Sequence, residues 1–244
     1  MYIITNNFNE RFDGEKLHYD VFRILTRNGA YDVAFRVRCS EGYAVVAYIG
    51  NFIRVNAIDF EMPSIDADKT IGVIMRSEGA ITNTDKLSIQ AALLYSTPDG
   101  ERKIRILNQY LPLEKRISSI FRYIDQDALH QLLIKDSLSM VSIKNVVAIK
   151  EYMIQSIVKI LKAFRSEGVT VTNPTEILIP DSMRFLWLYS LGLLKSPAFK
   201  LLGEIKVDEK YYYTLKLLGA SMSRMIKLSY PRIYKISDIH TTSL

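Results

Sequence analysis

Apolar and polar residues alternate from position 31 to 40. Tyr31, Val33, Phe35, Val37 and Cys39 fall on one side of the pattern, and Asp32, Ala34, Arg36, Arg38 and Ser40 on the other. Successive side chains of a strand leave opposite faces, so this run predicts a half-buried strand. Glu41-Gly42 predicts a turn and residues 43–49 a second strand, ended by Gly50-Asn51. Further strands are expected at 52–60, 68–76, 87–96 and 102–108. Between the last two, Thr97-Pro98-Asp99-Gly100 reads as a hairpin turn, because proline presets φ and glycine accepts a positive one. Short strands with turn signals at roughly ten-residue spacing predict an antiparallel β-sandwich.

After Leu111-Pro112 the period becomes helical. Over 142–166, Val146, Ile149, Met153, Ile157, Ile160 and Phe164 recur three or four apart, with Ser142 as cap and Gly168 as stop. Such a helix would run about 36 Å at 1.5 Å per residue, long enough to organise a bundle. After a loop at Asn173-Pro174, a second helix is expected from Pro180-Asp181 to about Lys195, closed by Ser196-Pro197, and a third over 207–219. The stretch from Arg224 to Ile236 reads as extended, broken by Pro231. Upstream, residues 2–5 form a β-prone run ended by Asn6-Asn7. A helix capped by Asp13 follows, with Leu17, Val21, Ile24 and Leu25 on one face and Asn28-Gly29 as its end. The strand at 2–5 has no partner in the pattern beside it, which suggests a start inside a larger domain.

Composition narrows the function classes. The 244 residues are 48% hydrophobic and 24% charged, as in a soluble globular protein, and the net charge is +6. A basic balance suits nucleic acid, an anionic membrane face or acidic peptides. The charge is scattered, however, and its local clusters are as short as Arg102-Lys103-Ile104-Arg105. The single cysteine, Cys39, excludes an internal disulfide, and no Cys/His pair has metal-ligand spacing. No cofactor is therefore expected in this chain. The apolar stretch from Phe185 to Leu194 is about half the 20 residues a membrane span needs. The N-terminus lacks the pattern of a signal peptide, and a cytosolic setting follows.

Catalytic constellations are not evident. No phosphate loop, dinucleotide glycine pattern or nucleophile elbow occurs. His18, His130 and His240 lie far apart. Asp125/Asp127 and Asp208/Glu209 fall at expected helix starts, where carboxylates favourably meet the dipole. Cys39 belongs to the apolar face of its strand. Tyr211-Tyr212-Tyr213 on a helix point in different directions, which favours packing over base stacking. The pair Arg36 and Arg38 stands apart. Two residues apart on a strand, both leave one face, about 6.5–7 Å from each other. Two guanidiniums at that separation could each take a carboxylate or clasp an acidic peptide. They could equally be two ordinary surface arginines on the wet face of a sandwich.

From this strand onward the sequence resembles the cargo-adaptor subunit of the COPII vesicle coat. The resemblance rests on Tyr31-Asp32-Val33-Ala34-Phe35-Arg36-Val37-Arg38-Cys39-Ser40 with Gly42, then Asp66-Ala67-Asp68-Lys69-Thr70, Gln90-Ala91-Ala92-Leu93-Leu94-Tyr95-Ser96 and Arg102 through Asn108. It resumes at Ile177-Leu178-Ile179-Pro180-Asp181-Ser182-Met183, Leu194-Lys195-Ser196 and Tyr230-Pro231-Arg232-Ile233-Tyr234. Upstream, Tyr2 through Phe8 and Gly14-Glu15-Lys16-Leu17 resemble the last strand and helix of the family's trunk domain.

The resemblance implies an α+β multidomain fold. Residues 1–28 would be a remnant of an α/β trunk, 29–110 the antiparallel β-sandwich, 111–221 an all-α helical domain, and 222–244 a returning strand leading to an absent gelsolin-like domain. It marks the chain as an internal fragment, with residues 1–10 poorly ordered or paired with another molecule. The family's zinc site would lie outside this chain.

By the same resemblance, Arg36 and Arg38 help bind acidic ER-export signals of cargo membrane proteins in endoplasmic reticulum-to-Golgi transport. The expected role is non-enzymatic, on the cytosolic face of the endoplasmic reticulum and its vesicles. Implied partners are the sister inner-coat subunit, the coat's small GTPase indirectly, and an anionic membrane surface. The main alternative is the sister subunit itself, which stimulates that GTPase. A nucleic-acid-binding protein is a weaker one, since scattered charge without an aromatic-plus-basic motif argues against it.

Overall fold

The computed structural model describes residues 7–50, 52–54, 59–78, 86–140, 145–168, 175–201 and 203–231. The strand expected at 2–5, the state of most of residues 1–10, the Ser142 cap, the Asn173-Pro174 loop, His240 and the chain beyond Pro231 lie outside the described residues.

Helix α1 (Glu10–Thr26) begins one turn earlier than the pattern suggested. Its cap is Asn9, not Asp13. Asn9 Oδ1 accepts from the Arg11 amide at 3.0 Å, while the Asp13 carboxylate reaches back to the Asn9 amide at 2.9 Å. Asp13 is thus the second half of a reciprocal cap. No residue of α1 is buried. Ion pairs hold its end to the sandwich, with Arg23 on Asp68 at 2.9 Å and Arg27 on Asp66.

Among the described residues the strands that follow are β1 (Gly29–Cys39), β2 (Tyr43–Ile49), β3 (Ile53–Arg54), β4 (Asp59–Asp66), β5 (Gly72–Ser77), β6 (Lys86–Ser96) and β7 (Arg102–Pro112). One sheet has the order β3-β4-β1-β6-β7, and β2 pairs with β5 in the other. All the pairings are antiparallel. The strand expected at 52–60 is instead the two-residue β3 followed by β4, and β5 starts later than residue 68. Pro63 and the acidic residues of β4 hid it. Proline is tolerated there because, among the described residues, no ladder pair of β4 includes Pro63.

The alternation of β1 also breaks once. Asp32 has a φ of 49°, and the register against β6 shifts between Tyr31 and Ala34. Beyond this bulge Val33 and Val37 point inward, whereas Tyr31 is 54% exposed and Ala30 takes the buried place. Arg102 fixes the bulge. Its Nη1 donates to the Asp32 carbonyl at 2.7 Å, to the Asp32 carboxylate and to Ser96 Oγ. Between the sheets Phe60 packs on Tyr48 at 4.9 Å and on Phe35 at 5.2 Å, beside Met62 and Val33. Past the Arg36/Asp59 pair, the Val37 amide donates to Tyr48 Oη at 3.1 Å.

The helical part comprises α2 (Ile117–Ile120), α3 (Gln126–Ser139), α4 (Val146–Ala163), α5 (Leu186–Leu194), α6 (Val207–Leu218) and α7 (Met222–Ser229). In α4, Val146, Ile149, Met153 and Ile157 are buried as their spacing predicts. Ile160 and Phe164 pack on a second cluster with Met183 and Leu186. Asn145 caps this helix through the Ala148 amide at 2.8 Å. A π-turn over Phe164–Gly168 ends it. Asp181 opens a 3-10 turn rather than α5 itself. Residues 222–229, expected to be extended, are helical: Met225 and Ser229, one turn apart, are the buried side. Tyr230-Pro231 ends that helix.

Thr70 joins the two parts. Its Oγ1 accepts from Lys135 Nζ at 2.5 Å and from Gln131 Nε2 at 2.9 Å, and donates to the Ala220 carbonyl at 3.1 Å. Lys135 Nζ also donates to the Thr70 carbonyl at 3.0 Å. A loop of the sandwich, helix α3 and the α6–α7 turn therefore meet on one hydroxyl.

Candidate functional site

The β1 bulge sets which residues face outward. From Ala34 onward the even-numbered side chains leave the sheet away from β2 and β5. Arg36 and Arg38 are thus on one face, as the period-two reading requires. Arg36 is half-buried and Arg38 exposed. The Arg38 side chain makes no hydrogen bond or ion pair among the described residues.

β1 lies between β4 and β6, so its outward residues have neighbours on both sides. Register places Ala92 of β6 beside Arg36 and Gln90 beside Arg38. The next strand continues the rows with Ile106 and Asn108. Gln90 Nε2 donates to Asn108 Oδ1 at 3.0 Å, which fixes an amide pair next to Arg38. Ala34, Leu94 and Ile104 form a third, apolar row. Glu61 pairs across from Ala34. Two guanidiniums, an ordered amide pair and an apolar strip could receive a short extended peptide with carboxylates and one or two apolar side chains. The amide pair and strip were missed from sequence, because cross-strand register is set by long-range pairing.

The other chemical candidates fall into structural roles. His130 is fully buried in α3, 5.5 Å from the Tyr189 ring, and burial pushes its pKa down to about 4. It stays neutral at physiological pH. His18 lies on the solvent side of α1 against Phe22. Asp125 caps α3 by accepting from the Asp127 and Ala128 amides. Asp208 and Glu209 sit in the first turn of α6. Cys39 lies 3.3 Å from Met75 Sδ, and burial raises its pKa. Tyr211 is exposed, whereas Tyr213 packs on the helical core. Among the described residues no cluster of His, Cys, Asp or Glu could hold a metal ion. Among them, too, no helix is long and apolar enough to cross a membrane.

A cleft of about 290 Å³ opens between the sandwich and α3, lined by Ile71, Val73, Leu129 and Lys135. Its floor is tight, since a Cβ added to Gly72 would meet Leu132 at 2.6 Å. Desolvation drives the Lys135 pKa down to about 8, helped by the nearby Lys69 charge.

The sequence matches the Sec23/Sec24 beta-sandwich domain over residues 30–114 and the Sec23/Sec24 helical domain over 125–227. It is 31% identical over 232 residues to the protein transport protein SEC24 B of Arabidopsis thaliana, covering 95% of this chain and 21% of that protein. Against human Sec24D the identity is 26% over 241 residues, covering 98% of this chain and 23% of that one. The chain thus spans about a fifth of the length of these relatives. Its fold is shared with the human COPII-coat protein Sec24c, with a TM-score of 0.82 at 24% identity over 91% of this chain and 28% of that one.

Proposed function

The chain belongs to the Sec23/Sec24 family, and from that premise we propose that it acts as a Sec24-type cargo adaptor of the COPII coat whose outer sandwich face takes acidic ER-export signals. The observation that carries this reading is the open face of β1. Arg36 and Arg38 leave it together, and Arg38 is exposed with no ion pair among the described residues to break. An incoming carboxylate therefore gains a charge-assisted, bidentate contact at Arg38 without displacing an existing one. The relatives described above are Sec24 proteins, which favours the adaptor over the GTPase-stimulating sister.

In this reading the adaptor works without catalysis, on the cytosolic face of the endoplasmic reticulum and of its transport vesicles. Its partners are the sister inner-coat subunit, cargo tails and, indirectly, the coat's small GTPase. The net charge of +6 suits an anionic membrane face, where each nearby Lys or Arg adds about 1 kcal/mol.

The test is a titration of fluorescent acidic peptides, with Asn/Gln versions of the same peptides as controls. Arg36→Ala with Arg38→Ala should weaken the acidic peptide about 3- to 30-fold, from exposed-pair and charge-assisted hydrogen-bond energies. Binding of the neutral peptide should not change. Equal binding of acidic and neutral peptides, or no effect of the double variant, overturns the assignment.

A further inference from the structure

The apolar strip on the outer sandwich face has a further row beyond it. In the β6–β7 ladder Leu94 pairs with Ile104, and the next outward pair is Ser96 with Arg102. Tyr31 of β1 lies across from Ser96, and the bulged Asp32 follows it. Arg36, the strip and Arg102 therefore succeed one another on a single face, two residues to a step. From Ala92, beside Arg36, to Ser96, beside Arg102, is about 13 Å along the strand at 3.3 Å per residue.

Arg102 is held there by one nitrogen. Its Nη1 donates to the Asp32 carbonyl at 2.7 Å, to the Asp32 carboxylate and to Ser96 Oγ at 2.9 Å. Among the described residues its Nε and Nη2 donate to nothing. Those two nitrogens make up the edge that takes a carboxylate through two parallel N–H···O bonds. The guanidinium is thus fixed in place with a binding edge free, and its side chain is 41% exposed. Fixing it beforehand removes part of the rotamer entropy that an exposed arginine loses on pairing. Asp32 competes weakly, because its side chain is 82% exposed and reaches only Nη1.

We propose that Arg102 is a second anion subsite of this face, taking a carboxylate four residues from the one at Arg36, with an apolar side chain between them over Leu94 and Ile104. The inference rests on the peptide-binding role proposed above for Arg36 and Arg38, and it narrows the ligand to an extended peptide acidic at both ends. In such a peptide alternate side chains share a face, so the acid, the apolar residue and the second acid fall two positions apart. The middle row is selected against acids. Glu61, exposed and across from Ala34, puts a negative charge beside that row and repels a carboxylate placed over it.

The experiment is a fluorescence-anisotropy titration of the full 244-residue chain with labelled, end-capped peptides. The probe is Glu-Ser-Glu-Ser-Leu-Ser-Glu, made in both chain directions. Each is compared with a version whose lone glutamate beyond the leucine is glutamine. In at least one direction the parent should prefer the glutamate over the glutamine version about 3- to 10-fold. Arg102→Ala should abolish the preference by weakening the glutamate peptide to the level of the glutamine one. Arg102→Lys keeps the charge but loses the two-nitrogen edge, and should retain at most about a twofold preference. Asp32→Asn tolerates the positive φ and removes the competing charge, and should raise the preference about twofold.

Moving the lone glutamate next to the leucine turns it to the other side of the peptide and should remove the preference. No preference in either direction, or one that survives Arg102→Ala, overturns the proposal. The reading beneath it is judged separately, by the loss of both peptides in Arg36→Ala with Arg38→Ala; if that double variant changes nothing, both readings fall. Should Arg102→Ala misfold, Arg102→Lys and Asp32→Asn decide, and a preference unchanged in both overturns the proposal.

Discussion

Replacing Thr70 with valine keeps the size of the side chain but removes the oxygen on which the sandwich and the helices converge. The Lys135 ammonium loses its 2.5 Å contact, the Gln131 amide loses one at 2.9 Å, and the Ala220 carbonyl loses its donor at 3.1 Å. None is orphaned, because Lys135 retains the Thr70 carbonyl and Gln131 still donates to Ala220 at 3.0 Å. The cost is therefore that of the bonds, without a fully unsatisfied charge. A hydrogen bond to a charged group contributes about 1.5–3 kcal/mol and a neutral one about 0.5–1.5. Partial compensation by the added methyl brings the expected loss to about 2–4 kcal/mol. Urea unfolding followed by both tryptophan fluorescence and circular dichroism measures it. Thr70→Ser, which keeps the hydroxyl, should cost about 1 kcal/mol or less. Thr70→Val should also make the two probes diverge, because the helical part then separates from the sandwich before unfolding. A Thr70→Val protein within about 0.5 kcal/mol of the parent, with coincident transitions, would refute the joint.

Lys135 adds a pH dependence to the same place. Its pKa is depressed from 10.5 to about 8, so between these values the unfolded chain holds a proton that the folded one has released. Stability from this group rises as pH climbs from about 8 to 10.5, by at most about 3 kcal/mol, and is lost as pH falls through 8. The difference between Lys135→Met and the parent, followed by urea unfolding across that range, should shift accordingly, and a flat difference contradicts it. Gly192→Ala should be among the most damaging single changes, since the new Cβ would lie 2.0 Å from the Ser229 carbonyl; we expect at least about 3 kcal/mol, read by thermal unfolding. Asp125→Ala removes the cap that holds the first amides of α3 and should cost about 0.5–2 kcal/mol, with Asp125→Asn recovering most of it.

What the sequence revealed was mainly what repeats within one element. The alternation from Val33 to Cys39 and the spacing from Val146 to Ile157 gave a strand and a helix that the structure contains, with the inward residues correct. Errors arose where one residue outweighed the pattern. Pro63 hid β4, a bulge at Asp32 turned Tyr31 outward, and the seryl and basic residues around Met225 masked α7. Asn145 and Asn9 cap helices that begin later or earlier than Ser142 and Asp13 implied. The outward direction of Arg36 and Arg38 was legible because it needs only period two. Their neighbours Gln90, Asn108 and Ile106 were not, since β6 and β7 reach them through pairings some 50 to 70 residues apart in sequence. The Thr70–Lys135–Gln131 joint left no trace at all: a lysine on a helix reads as solvated until the loop that covers it is placed.

We propose that the outer face of β1 reads acidic signals on cargo. It is tested most directly by a reconstituted budding reaction, in which the longer adaptor carries Arg36→Ala and Arg38→Ala at these positions. Capture of a membrane protein with an acidic export signal should fall several-fold, while vesicle yield and capture of cargo with a non-acidic signal stay at the parental level. Undiminished capture of the acidic cargo would contradict the account.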